Sequence, residues 1–142
     1  MKEIKRYEVI AAAQSLLGTP WEHQGRNLFG CDCAGYVYLT GKKLKCDTTG
    51  VDSIVRYGRD PDKTMETILN ANLVKKDRNQ RLPGTILFFG FGKHGQHMGI
   101  ITKRLNTFYH GYEDEGQVVE TRLDKRWLNR IRGVYDFKGV VD

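Results

Sequence analysis

Apolar residues recur with a helical period near the amino terminus of this chain and gather into short β-prone runs towards its carboxyl terminus. Over residues 3–17, Ile4, Tyr7, Ile10, Ala11, Gln14 and Leu17 return every three or four positions, which predicts an amphipathic helix with those residues on one face. Gly18 followed by Pro20 gives the expected stop, a C-terminal glycine and then a residue that cannot continue the helix. The polar stretch TPWEHQGRNLFG predicts a loop leading to Cys31. A second helix is expected from near Cys33 through AGYVYLTGKKL, with Gly35 and Gly41 lowering its intrinsic propensity. Asp60 as a cap and Pro61 at a first helical position predict a third.

After residue 82 the character of the chain changes. TILFFGF (85–91), HMGIIT (97–102), TFYHGY (107–112) and QVVET (117–121) are short β-prone runs separated by Gly, Asn, Asp and charged residues, and they read as an antiparallel meander. GVYDF (133–137) is a further strand, and KKDRNQRLPG (75–84) reads as a surface loop. Helices first and strands afterwards define an α+β fold, with N-terminal helices packed on a C-terminal antiparallel β-sheet.

Composition narrows the setting. A chain of 142 residues is expected to form a single domain, residues 1–142, with one core and no need of disulfide staples. With 39% hydrophobic and 28% charged residues it is globular, which excludes a disordered chain. No apolar run reaches the ~20 residues of a membrane span, so no membrane insertion is expected. The first residues mix charge into apolar positions and carry no signal-peptide core, so the expected site of synthesis is a cytoplasm. The net charge of +6 favours anionic partners such as nucleic acid, a membrane surface or a carboxylate-rich cell wall. Its basic residues are scattered and no nucleic-acid motif is present, so nucleic acid is not expected as a partner.

Chemistry is concentrated in three short runs. GCDCAGY (30–36) places Cys33 in a glycine-flanked turn at the start of the second helix. There its sulfur would lie near unpaired N–H groups that can lower a thiol pKa and hold an oxyanion. The competing reading is a small buried hydrophobe. QHMGI (96–100) and FYHGY (108–112) carry His97 and His110. A hairpin turning at Lys103-Arg104 would set 101 opposite 106, 99 opposite 108, and His97 opposite His110, ~5 Å apart at Cβ. One imidazole could then act on the thiol while the other orients it. A one-residue slip would separate the two. His94 falls in a glycine-rich turn and reads as exposed; His23 and Trp21, in the loop before the cysteine, are candidates for supporting roles. Cys31, Cys33 and Cys46 lack the second ligand pair of a zinc site, so no metal is expected.

Taken together, LLGTPW, HQGR, GCDCAGYV, RYGRDP, LPGTILFF, QHMGI and FYHGY, in that order, resemble the NlpC-type cell-wall cysteine peptidases, and within them a subgroup found among phage tail proteins. The resemblance implies a papain-like core with Cys33 as nucleophile, His97 as general base and acid, and His110 as the group that orients His97. It implies hydrolysis of an amide in a peptidoglycan stem peptide, between γ-D-glutamate and a diamino acid, without cofactor. Implied partners are the stem peptide and phage tail proteins, and the implied place of action is the cell wall, delivered by a virion tail. Two positions depart from the pattern. Trp21 stands where many members carry a tyrosine that donates a hydrogen bond near the reacting centre, and Ala34 replaces the common serine. Asp32 matches the pattern and is expected in a buried ion pair with Arg26 or Arg59. The alternative function is a catalytically silent structural component of a phage-like tail.

Overall fold

The computed structural model describes residues 3–46, 64–90 and 95–142. In chain order its elements are β1 (Ile4–Lys5), α1 (Arg6–Gln14), β2 (Arg26–Asn27), β3 (Gly30–Cys31), α2 (Cys33–Lys43), α3 (Thr64–Asn72), β4 (Val74–Lys76), β5 (Ile86–Gly90), β6 (Gly95–Ile101), β7 (Thr107–Tyr112), a 3-10 turn (Glu113–Glu115), β8 (Gln117–Arg122), α4 (Lys125–Leu128), β9 (Ile131–Asp136) and β10 (Val140–Val141). Six strands form one antiparallel sheet in the order β4-β9-β5-β6-β7-β8. The expected α+β arrangement holds, with one change of topology. Strands β5 to β8 form the meander, but β9 returns to the far edge and inserts between β4 and β5.

Strand alternation buries both faces of this sheet. Ile86, Phe88, Met98, Ile100, Tyr109, Val118 and Tyr135 point to one side, where they pack with Val9 and Ala13 of α1, Tyr36 and Val37 of α2, and Leu69 of α3. Leu87, Phe89, Ile101, Phe108, Ile131 and Val134 point to the other and pack with Leu123 and Trp127. Two polar contacts lock the helices in place: Tyr36 donates to the Ala13 carbonyl at 3.0 Å, and Tyr135 donates to Asn70 at 2.6 Å.

The first helix is shorter than its periodicity predicts, and it is rotated. Ile4 and Lys5 pair in parallel with Val140 and Val141, and the Glu8 side chain accepts the Lys5 N–H at 2.7 Å, so the helix starts at Arg6. Its buried positions are Val9 and Ala13, continued by Leu16, whereas Tyr7 is 74% exposed. A run of three alanines defines no strong apolar face, and of the two branched neighbours Val9 and Ile10 tertiary packing buried Val9 and left Ile10 half-buried. The expected loop before Cys31 contains the β2–β3 hairpin, and the expected surface loop begins as strand β4, whose Lys76 reaches Asp136 at 3.7 Å. The expected start of the third helix at Pro61 lies outside the described residues, which take it up at Thr64.

Candidate active site

Helix α2 begins at Cys33, as its sequence predicts, because Asp32 caps it. The Asp32 carboxylate accepts the Gly35 N–H at 2.7 Å, the third residue of the helix and the usual target of an N-cap side chain. The same carboxylate takes the Gln24 N–H at 2.8 Å and pairs with the Arg26 guanidinium at 2.9 Å while only 1% exposed. The expected buried ion pair is therefore made with Arg26; Arg59 lies outside the described residues. Arg26 comes from β2, so the Asp32 contacts tie the small hairpin to the helix start.

The segment before the hairpin fixes the turn from its other side. Gly18 and Val118 are joined by an N–H to carbonyl bond of 2.9 Å, and Val118 returns one to Thr19 at 2.9 Å, so the chain is held along β8. Trp21 then bridges in parallel to Cys31, and the Cys31 N–H donates to Pro20 at 2.9 Å. The Trp21 indole stacks on His23 with ring centres 6.2 Å apart. These two residues thus sit together beside the strand that delivers the cysteine turn.

His97 lies on β6 and His110 on β7, and their rings meet: His97 Nε2 and His110 Nδ1 are 2.7 Å apart. The register that brings them together differs from the expected one by two residues. Ile100 pairs with Tyr109 and Ile101 with Phe108, because the hairpin turns through Thr102–Leu105, with the Leu105 N–H bonded to the Thr102 carbonyl at 3.1 Å and Leu105 at φ 69°. A shift of two preserves the face, as a shift of one would not. Continued along the strands, it sets Gly99 opposite His110 and makes the histidines diagonal neighbours. Gly99 offers no side chain there: an added Cβ would lie 2.7 Å from the Phe108 ring and 2.9 Å from the Tyr109 carbonyl. The diagonal path is open for that reason.

Sequence reasoning missed Thr121. Its Oγ1 lies 2.8 Å from His110 Nε2, so both nitrogens of His110 are engaged. The signal was available in strand parity. Thr121 pairs with Phe108 and Val119 with His110 on β8, which leaves Thr121 diagonal to His110 on the same face. Trp127 was also missed. Its ring lies 5.8 Å from His97 and 5.5 Å from His110, and Tyr112 stacks on His110 at 4.7 Å. These aromatics explain why His97 is 8% and His110 0% exposed.

Burial sets the charge states. It pushes the His97 imidazole down to about 4, against a smaller opposing pull from Asp32. His110 is driven down to about 2, first by burial and then by His97. Burial and then the Asp32 charge push the Cys33 thiol up to about 12, while hydrogen bonding with the backbone of Met98 and Ala34 and the charge of Arg26 act to lower it. The resting groups are therefore a neutral thiol and neutral imidazoles. Met98 directly follows His97 in the chain. Gly111 directly follows His110, and a Cβ on it would lie 2.9 Å from the Asp32 carbonyl oxygen and 3.5 Å from the Cys33 nitrogen. The start of α2 accordingly touches the strand positions next to each histidine. Cys31 is buried, the Cys46 thiol donates to Gly41 at 3.3 Å, and among the described residues no three His, Cys, Asp or Glu side chains cluster as a metal set. His94 lies outside the described residues. No helix among them is long and apolar enough to cross a membrane.

A helix opening at a buried cysteine and packed on an antiparallel sheet that carries paired histidines defines a papain-like α+β protein. The family model described as the NlpC/P60 family matches residues 18–135, and the chain belongs to that family. It is 32% identical over 114 residues to the "Probable endopeptidase NlpC" of Escherichia coli (strain K12), covering 78% of this chain and 64% of that protein's length. An NlpC/P60 family protein from Bacillus cereus ATCC 10987 shares the fold with a TM-score of 0.69 at 20% identity, over 93% of this chain and 40% of the other. The NlpC/p60 domain of the peptidoglycan hydrolase SagA superimposes with a TM-score of 0.64 at 19% identity, over 94% of this chain and all (100%) of that domain.

Proposed function

We propose that the protein is a cysteine peptidase that hydrolyses the amide between γ-D-glutamate and a diamino acid in peptidoglycan stem peptides, acting at the cell wall as part of a phage-like tail. The observation that carries this reading is the hydrogen-bonded row His97–His110–Thr121, built beside the start of a helix whose first residue is a buried cysteine. Membership of the NlpC/P60 family supports the substrate class. The particular bond and the tail setting rest on the resemblance carried by GCDCAGY, QHMGI and FYHGY.

In this reading His97 Nε2 is held by His110, which leaves Nδ1 to take the Cys33 proton. As the sulfur attacks the amide carbonyl, the thiol proton passes to Nδ1 and the carbonyl oxygen becomes an oxyanion. Backbone N–H groups at the start of α2 can turn to that oxyanion. The imidazolium then protonates the leaving amine and the C–N bond breaks, giving a thioester on Cys33. His97 next takes a proton from water, hydroxide adds to the thioester, and the carboxylic acid leaves as the thiol is reprotonated. A neutral resting thiol suits this order, since the sulfur need ionise only as substrate excludes water and the proton moves to His97.

Digestion of a defined tripeptide muropeptide in H2(18)O tests the assignment by mass spectrometry. The expected products are a free diamino acid and a peptide whose new γ-carboxyl carries one (18)O. An intact muropeptide, or a label at another bond, contradicts it.

A further inference from the structure

We propose that Thr121 is a positioning residue whose hydroxyl oxygen accepts the Nε2–H of His110 and thereby selects the tautomer of His97 that can act on the thiol. The inference rests on the cysteine-peptidase reading of the site. Its physical basis is a count of protons. His110 is fully buried and engaged at both nitrogens, by His97 at 2.7 Å and by Thr121 at 2.8 Å. Burial keeps it neutral, so it carries one N–H and one bare nitrogen.

Only two arrangements fit. In the first, His110 donates from Nε2 to Thr121 and accepts at Nδ1 from His97 Nε2–H, which leaves His97 Nδ1 bare and able to accept the Cys33 proton. In the second, Thr121 donates to His110, His110 donates to His97, and His97 must carry its proton on Nδ1, where it cannot serve as a base. Once His97 becomes imidazolium both its nitrogens bear protons, and only the first arrangement gives Nε2–H an acceptor. A buried N–H without a partner costs about 1–3 kcal/mol, so the reaction pulls the row toward the first arrangement. Thr121 can serve it because it is half-buried at the sheet edge, where its own O–H can turn to solvent while its oxygen accepts. A valine there keeps the shape and removes the acceptor, leaving a buried His110 Nε2–H unpaired. His110 would then shift its proton to Nδ1 and force His97 into the inactive tautomer.

The full-length protein labelled with (15)N-histidine carries only four histidines, so the ring signals of His97 and His110 can be assigned. The wild type is expected to show both with a bare Nδ1 and a protonated Nε2. Thr121→Val is expected to move the proton to Nδ1 in both rings and to lower kcat on a muropeptide at least about tenfold with KM unchanged, a part of the ~10²–10⁴ that acid–base catalysis contributes. Thr121→Ser, which keeps the hydroxyl, should restore both readouts. A wild-type His110 protonated on Nδ1 overturns the inference without any variant, and so does an unchanged kcat in Thr121→Val. If the wild type cleaves no muropeptide the peptidase reading falls, whereas the ring spectra still decide what Thr121 does to the two histidines.

Discussion

Gly111 is where the account can be pressed hardest with one added carbon. It follows His110 on β7, and a Cβ built on it lies 2.9 Å from the Asp32 carbonyl oxygen, 3.1 Å from its carbon and 3.5 Å from the Cys33 nitrogen. Ordinary contact starts at 3.4 Å, and the obstructing atoms are backbone at a helix start pinned by Arg26, Gln24 and Gly35. No flexible side chain can yield, so Gly111→Ala has to separate β7 from the start of α2 by about 0.5 Å, or tilt one of them, at the usual overpacking cost of about 1–3 kcal/mol. The displacement falls between the residue beside His110 and the residue bearing the thiol. Misplacement on the scale of 1 Å can cost about a hundredfold in rate, so a shift of this size is expected to cost about tenfold. Urea unfolding gives the stability change and muropeptide turnover gives the rate. Activity should fall under conditions where the variant remains fully folded. An alanine variant with an unchanged urea midpoint and unchanged turnover would refute the claim that α2 abuts β7 at the site.

Two further outcomes follow from the charges. His97 and His110 are held neutral in the fold, His97 down to about 4 and His110 to about 2 against an ordinary 6.5, so the unfolded chain takes up protons first as pH falls. Stability is present above pH 6.5 and lost on acidification, with a slope of up to about 3 kcal/mol per pH unit when both unfolded histidines are charged. His97→Gln should flatten the fall of the urea midpoint below pH 6.5; an equally steep profile would show that His97 is not held neutral by burial. Asp32→Asn leaves the Arg26 charge buried without its counter-charge and should cost about 3–5 kcal/mol in urea unfolding. Asp32 also raises the Cys33 pKa, second to burial, so the substitution should lower it. Thiolate absorbance against pH in a Cys31→Ser, Cys46→Ser background reads that shift, and a rise would contradict the assigned electrostatics.

How much of this was legible in the sequence depends on where the information lies. The start of α2 was readable because the glycine-flanked run GCDCAGY announces a turn into a helix locally, although the Asp32 cap that fixes it was not read. The strands were readable because TILFFGF and HMGIIT are short β-prone runs bounded by glycine and polar residues. The histidine pair was readable as a shared face. The register was not, because the turn is set by Leu105 adopting a left-handed conformation that few non-glycine residues favour. The buried face of α1 was misread since AAAQ presents nearly equivalent faces, and only contact with the rest of the core, through Val9 and Leu16, distinguishes them. The insertion of β9 between β4 and β5 follows from where a distant chain returns, which no local pattern records. Thr121 and Trp127 escaped notice because each acquires its role only when β8 and α4 are laid against β7.

The central claim is that Cys33 forms the covalent intermediate, and turnover of a defined muropeptide by the wild type and by Cys33→Ala, followed by mass spectrometry, tests it most directly. The account predicts cleavage by the wild type and loss of at least about a thousandfold in the variant, as expected when a nucleophile is removed from a unit that acts together. Equal cleavage by both proteins would contradict it.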